Sequence, residues 1–339
     1  MINAQHVPVL EGLSGQELLN ELKNQFRPNS TLGYNIARDT LFRNILAVNN
    51  ELSCLYTDYT IPLNPDADPS DNAFAQGINT EHIFPQSKGA ENEPLRSNMY
   101  NLYPVRENVN SDRANDPYGE VADNVTQWWY HLDIKQKNKP TVDIDKYSEK
   151  GNGVFEPQEN RKGDIARSIM YFYSVYKPEA DAADPNYFQS MTSAICAWHI
   201  ADPVDSDEWN RNQLIATYQN DKSNPFILDC TLPERSYCSG NGIKCNPSNS
   251  TKVIRQNISD LIIFPSIFEE SELTIHVESP EDIYQLIITD QNGRMIKTID
   301  KLAGQKTTIQ LNNLSKGVFN IFAKDQYGYI KGKGRFTRI

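Results

Sequence analysis

Histidine and cysteine are scarce: the 339-residue chain has five of each. Positive charge is also in deficit, since 33 Lys and Arg face 44 Asp and Glu for a net charge of −11. That balance excludes a protein that holds nucleic acid through a broad basic surface, because such binding draws its affinity from many cation–phosphate contacts. Any polyanionic substrate has to be captured locally. Long apolar runs are missing too. None approaches the roughly 20 residues of a membrane-crossing helix, so no transmembrane segment is expected. The opening MINAQHVPVLEGL has neither a basic stretch nor a continuous apolar one, and no secretory signal is visible in it.

The few cysteines are unevenly placed. Cys230, Cys238 and Cys245 fall in the polar, Gly- and Pro-rich DCTLPERSYCSGNGIKCNPSN. With no C-x-x-C pair and no His nearby, zinc is a poor fit, which leaves a local disulfide formed in an oxidising compartment or free thiols in a loop. Cys54 and Cys196 sit among apolar neighbours and are expected as small core residues.

What is present describes a soluble globular protein, with 38% hydrophobic and 23% charged residues. The length suits one domain of enzyme size plus a smaller one, acting as a monomer. LSGQELLNELKNQF offers a capping box, Ser14 with Glu17, ahead of a stripe of Leu18, Leu19, Leu22 and Phe26. Further helices are expected over 33–47, 120–131, 163–176, 187–198 and 207–219. Between the second and third lies an irregular Pro- and Asp-rich stretch of the kind that is either disordered or functional. Near residue 250 the pattern changes to short alternating strands, with Asn292-Gly293 as a hairpin turn. The class is therefore α+β: a mainly helical domain over 1–245, a linker over 246–257, and a small all-β, Ig-like sandwich over 258–339. Residues 251–339 carry 12 Lys and Arg against 10 Asp and Glu, so the acid excess belongs to the larger part.

Five histidines make the search for a general base short. His6, His131, His199 and His276 have the surroundings of packing or surface residues. His82, in GINTEHIFPQSKG, has a carboxylate beside it, Glu81, and turn residues on both sides. In a regular strand those neighbours would point to opposite faces, so a shared site needs a strand end or a bulge, which Gly77 and Pro85 allow. Downstream, NMYNLYPV has strand propensity up to Pro104, and RENVNSDRAN can form a short helix on which Asn110 and Arg113 share a face. Strand, loop, strand and helix arranged this way can grip one hard cation against a phosphodiester. Glu81 and Asn110 offer the oxygen ligands that suit Mg²⁺, with Mn²⁺ or Ca²⁺ as alternatives, and a neutral His82 can take the proton of the attacking water.

INTEHIFPQSKGA, RSNMYNLYPVRENVNSDRANDPYGEV, GVFEPQENRKGDIARSIMYFYSVY and RNQLIATYQNDKSNPFI, in this order, resemble the successive blocks of the endonuclease I family of secreted and periplasmic bacterial nucleases. The resemblance implies a ββα-metal (His-Me finger) core embedded in helices, one divalent metal, and sequence-non-specific cleavage of DNA and often RNA leaving 5′-phosphates. It places the general base on His82 and the metal ligands on Glu81 and Asn110. Arg113 completes the N-x-x-R block, and we expect it to contact phosphate. Where the family commonly reads D-L-H-N-L this chain has NMYNL, so Asn98 and Tyr100 depart from the pattern while Asn101 keeps it and is expected to brace the active-site loop. Arg96, Arg106 and Arg167 are further phosphate candidates. Trp128 and Trp129 are expected in the core, with base stacking as the alternative.

The tail, in IIFPSIFEESELTIHV, LIITDQNGRMIKTI, TTIQLNNLSKGVFNIFA and KGKGRFTRI, resembles the C-terminal sorting domain of proteins exported by the Por, or type nine, secretion system. That implies engagement with the secretion machinery and a secreted or cell-surface protein; a plain β-sandwich binding module is the alternative. The expected activity is metal-dependent hydrolysis of DNA or RNA. The competing reading is a surface nucleic-acid or glycan-binding protein on a degenerate nuclease scaffold.

Overall fold

The computed structural model describes residues 6–240 and 245, and in the C-terminal part 259–260, 262–264, 266–268, 272–276, 285–291, 295–300, 306–311, 314–324 and 330–339. Two units divide the chain after Lys252. The first runs α1 (Gly15–Phe26), α2 (Tyr34–Asp39, continued by a π-helical turn Thr40–Leu46), β1 (Glu51–Ser53), β2 (Thr60–Pro62), α3 (Pro69–Ala75), β3 (Ile78–His82), β4 (Leu102–Arg106) and α4 (Glu107–Arg113). It continues through β5 (Trp128–His131), β6 (Ile134–Gln136), β7 (Ser148–Lys150), β8 (Phe155–Glu156), α5 (Lys162–Ala183), α6 (Tyr187–Ala201), α7 (Ser206–Tyr218), α8 (Pro225–Leu228) and α9 (Leu232–Ser236).

The core is organised around α5, whose residues 162–176 are all buried. Pro178 has no N–H to return to the preceding turn and its ring crowds that turn, and the helix kinks at Tyr176. On α1, Leu18 and Leu22 are fully buried, and Leu19 and Phe26 pack against the same core. Ser14 stands at the N-cap, yet its side chain makes no cap bond, so the capping box is not formed.

The helix expected over 120–131 is absent. Trp128–His131 is instead the strand β5, in a four-stranded antiparallel sheet ordered β6-β5-β7-β8. The Trp-Trp-Tyr run has strand propensity, and pairing on both sides makes good its backbone hydrogen bonds. Trp129 and Tyr130 are fully buried, and Trp128 is half-buried. A second correction concerns 98–101, read as the start of a strand. Asn98 accepts from the Tyr100 amide and opens a 3₁₀ turn over Met99–Asn101, so the strand begins only at Leu102.

Disulfides join Cys196 to Cys238 and Cys230 to Cys245. Cys196 and Cys54 both lie in the core as expected; Cys196 is disulfide-bonded there, and Cys54 is a free, buried thiol. On α6, His199 is buried with Nε2 3.0 Å from the Cys230 carbonyl and Nδ1 without a partner. Burial first, and then the Arg167 guanidinium, lower its pKa to about 3. Between that value and the ordinary value of about 6.5 only the unfolded chain takes the proton. The stability concerned is whole above pH 6.5 and is lost as the pH falls toward about 3. Going from pH 6.5 to 5 is expected to cost about 2 kcal/mol through this residue. Melting curves of wild type and His199→Gln at pH 7 and 5 check this: the variant should lose less on acidification, and equal losses contradict it.

In the second unit, β9 (Ser259–Asp260), β10 (Ile262–Phe264), β11 (Ile267–Phe268), β12 (Glu272–His276), β13 (Gln285–Asp290), β14 (Met295–Asp300), β15 (Lys306–Gln310), β16 (Gly317–Lys324) and β17 (Ile330–Arg338) form two sheets. One is ordered β10-β12-β15 and the other β11-β17-β16-β13-β14, with β9 on β17. Ile309 and Leu311 from the first side share a core with Leu286, Ile288, Phe319, Ile321 and Phe336 from the second. β13 and β14 pair antiparallel, as a hairpin requires, though Asn292 and Gly293 at its turn lie outside the described residues, as does the expected linker.

Candidate active site

β3 and β4 pair antiparallel, with Glu81 opposite Tyr103 and His82 opposite Leu102, and α4 follows β4 without a break. Just past His82 the chain is clamped by Asn101, whose Oδ1 accepts from the Phe84 amide at 2.6 Å while its Nδ2 donates to the Phe84 carbonyl at 2.9 Å. A reciprocal pair of this kind fixes backbone direction where the strand ends.

The His82 ring is 5% exposed and stacks on Tyr34, with ring centroids 5.5 Å apart. Its Nε2 lies 3.0 Å from the Arg96 carbonyl oxygen. A carbonyl can only accept, so the hydrogen-bond network assigns the proton to Nε2 and the lone pair to Nδ1. Burial, joined by the charges of Arg96 and Arg113 and opposed by the Arg96 carbonyl, lowers the pKa to about 4, so the imidazole is neutral at physiological pH. Gln86 Nε2 stands 3.4 Å from Nδ1, the one described side chain facing that lone pair.

Glu81 is buried in a different set of neighbours. Its Oε1 accepts from Tyr56 Oη at 2.8 Å and from Arg113 Nη1 at 3.1 Å, and Tyr56 is bonded in turn to Tyr118. Burial pushes the carboxyl upward, against the pull of Arg113 and the Tyr56 hydroxyl. Arg113 is 1% exposed. Besides Glu81, its terminal nitrogens donate to the carbonyls of His82, Ile83 and Ala114 and to Tyr187 Oη, and the guanidinium lies 4.5 Å over the Tyr118 ring. Its terminal donors are used inside the protein, so the phosphate contact expected of Arg113 is corrected: it braces Glu81 and the end of β3.

Asn110 is half-buried, and its Nδ2 donates to Asn79 Oδ1 at 2.7 Å and to the Thr80 carbonyl at 3.5 Å. With the nitrogen held against β3, the amide oxygen is turned away from the strand. Asn79 and Glu81 alternate onto one face of β3, the face against α4, so Glu81 and Asn110 meet the same strand–helix interface. His82 belongs to the other side, with Tyr34 and Arg96. Among the described residues no side chain hydrogen-bonds both the Glu81 carboxylate and the His82 ring; Arg113 links the two residues by bonding the carboxylate of one and the carbonyl of the other.

Of the three further arginines, Arg96 lies beside the base, its guanidinium 4.4 Å over the Tyr34 ring. Arg106 sits opposite Ile78 at the far end of the hairpin, stacked on Tyr59 and bonded to the Leu132 carbonyl. Arg167 is fully buried, paired with Glu208 at 2.6 Å and bonded to the Asp202 carbonyl, so it is a core cation and not a phosphate contact. The departures from the family pattern lie elsewhere: Asn98 bonds Tyr171 and Tyr176, and Tyr100 bonds the carbonyls of Asn212 and Lys222.

Sequence reasoning passed over Tyr34, Arg38 and Tyr56. Arg38 lies 4.7 Å over the Tyr34 ring, so that ring carries two guanidinium groups as well as His82. The i,i+4 spacing of Tyr34 and Arg38 was the available signal, though it is shared by many ordinary helices. Tyr56 comes from the irregular stretch before β3, which proves ordered.

Residues 14–231 match the profile of the endonuclease I family, and residues 269–333 match that of the secretion system C-terminal sorting domain, which marks a secreted or cell-surface protein. The chain is 26% identical over 163 residues to an extracellular ribonuclease of Bacillus subtilis, covering 44% of this chain and 50% of the relative. It is 29% identical over 140 residues to a periplasmic deoxyribonuclease of Aeromonas hydrophila, covering 41% and 51%. An endonuclease-1 from Buchnera aphidicola is 24% identical over 139 residues, covering 40% and 46%. The chain spans about half the length of these relatives.

Proposed function

We propose that this chain, which belongs to the endonuclease I family, is a metal-dependent endonuclease that hydrolyses phosphodiester bonds of DNA and RNA without sequence preference, and that its C-terminal unit engages the secretion machinery. The observation that carries the reading is the held tautomer of His82. A ring pinned through Nε2–H to the Arg96 carbonyl presents Nδ1 as a base of fixed direction.

His82 Nδ1 takes a proton from water as that water attacks phosphorus; the P–O3′ bond breaks, the 5′-phosphate stays with one fragment, and the 3′ oxygen leaves to be protonated by solvent. Glu81 and Asn110 are the residues to hold a divalent cation, Mg²⁺ first. Both present hard oxygen at one interface, and the Asn110 nitrogen, anchored on Asn79, leaves its oxygen for a ligand. Among the described residues no group of three or more His, Cys, Asp or Glu could hold a metal. When bound, the cation supplies charge neutralisation at the phosphate and at the departing oxygen. Arg113 keeps Glu81 in place, Asn101 fixes the chain behind His82, and Arg96 with Arg38 adds positive charge beside the base.

The test is incubation of the purified chain with plasmid DNA and with single-stranded RNA. Both should be cut in Mg²⁺, spared in EDTA, and cut again when Mg²⁺ is restored, leaving 5′-phosphates. Intact substrates in Mg²⁺, Mn²⁺ and Ca²⁺ would sink the proposal in favour of a binding protein. The departures that motivated that competitor, Asn98 and Tyr100, spend their side-chain hydrogen bonds away from His82, Glu81 and Asn110.

A further inference from the structure

The sheet next to α4 presents a face that the proposed chemistry does not use. In its register Trp128 lies opposite Lys150, and Tyr130 opposite Lys135 and Ser148. Cross-strand partners share a face, so Trp128, Tyr130, Lys135 and Lys150 lie together; Tyr130 is fully buried there, and Trp128 is half-buried, one side of it packed on the core. Lys135 and Lys137 bring their ammonium groups to 4.4 and 5.1 Å from the centre of the Trp128 ring. Lys137 is exposed and has no carboxylate partner among the described residues. The first unit carries the whole acid excess of the chain, which makes a concentration of lysines around one half-buried indole stand out against its surroundings.

This sheet is tied to the candidate active site through α4. Asp112, two residues beyond Asn110 on α4, accepts from Tyr130 Oη at 2.8 Å and pairs with Lys135 at 2.5 Å, and Lys150 pairs with Asp116 just past the helix. The helix that presents Asn110 is thus fastened to the sheet that presents Trp128. An indole accepts any base by stacking, and ammonium groups on long stems can move from the ring to the flanking phosphates, so the pair suits an unpaired polynucleotide strand of either sugar.

We propose that the Trp128–Lys135–Lys137 face is a strand-binding subsite that stacks a base of single-stranded nucleic acid outside the cleavage site. The proposal rests on the nuclease reading for its substrate. The test uses the full chain in EDTA with a fluorescent oligothymidylate, read by anisotropy across a salt series. It also compares kcat/KM in Mg²⁺ on long single-stranded DNA and on thymidine 5′-p-nitrophenyl phosphate. Trp128→Ala is expected to raise the oligonucleotide Kd by about tenfold or more and to lower the long-to-short ratio of kcat/KM by a similar factor. Trp128→Phe should keep most of the binding, and Lys137→Ala should make the salt slope shallower by nearly one phosphate contact. Melting temperatures monitor folding, and if Trp128→Ala is unstable the other two variants carry the test. A Kd unchanged within twofold in Trp128→Ala, or losses that are equal on the long and short substrates, overturns the subsite. Wild type that cleaves but shows no Trp128 dependence overturns the subsite alone. Trp128-dependent binding without cleavage overturns the nuclease reading and leaves the subsite standing.

Discussion

His82→Ala is expected to slow phosphodiester cleavage by roughly 10²–10⁴-fold, the usual contribution of a positioned general base. The ring is 5% exposed and held from both edges, by the Arg96 carbonyl at Nε2 and by Gln86 near Nδ1, so no neighbouring side chain stands ready to replace it. The loss should appear in kcat at saturating Mg²⁺ and substrate, because the residue acts on the water and not on the cation or the strand. Added imidazole should restore part of the rate, since the cavity left beside Tyr34 has the shape of the missing ring. A variant that cleaves within twofold of wild type would contradict the assignment of the base.

Arg113→Met is expected to be the most destabilising single change at the site. It removes the guanidinium from Glu81 while the carboxylate stays buried, and breaking a buried pair from one side costs about 3–5 kcal/mol. In a domain of this size that is on the order of 10 °C in melting temperature. Arg113→Lys should not rescue it, because one ammonium cannot reach Glu81, three carbonyls and Tyr187 at once. Adding Glu81→Gln to Arg113→Met should recover part of the loss by removing the stranded charge, which the double-mutant comparison measures. A melting temperature within a degree or two of wild type in Arg113→Met would mean that Arg113 is not the brace described, and would reopen its role as a phosphate contact.

These two residues mark how far the sequence carries. His82, Glu81 and Asn110 could be picked out because scarce histidine, turn residues and a strand–helix pattern point to the same short region, and β3, β4 and α4 form there. The face shared by Asn110 and Arg113 was legible from helical spacing. Its direction was not, since it depends on a carboxylate far back in the chain at Glu81 and on Tyr187 from α6. The same limit hid the Cys196–Cys238 bond, 42 residues apart, because it forms only once α6 is packed beside the segment after α9. At 98–101 local chemistry won over strand propensity through a single Asn98 side-chain bond. At Trp128–His131 a helix was expected, and the pairing with β6 and β7 decides for a strand. Glu81 and His82, adjacent in the sequence, reach separate surroundings on the two sides of one strand end, joined through Arg113.

The most direct measurement is single-turnover cleavage of an end-labelled nucleic-acid substrate by wild type and His82→Ala side by side, each in Mg²⁺ and in EDTA, with folding of both confirmed by their melting curves. Catalysis by His82 with a divalent cation requires cleavage by wild type in Mg²⁺ only, with His82→Ala slower by roughly 10²-fold or more at an unchanged melting profile. Cleavage by wild type that persists in EDTA, or that His82→Ala matches, would contradict it.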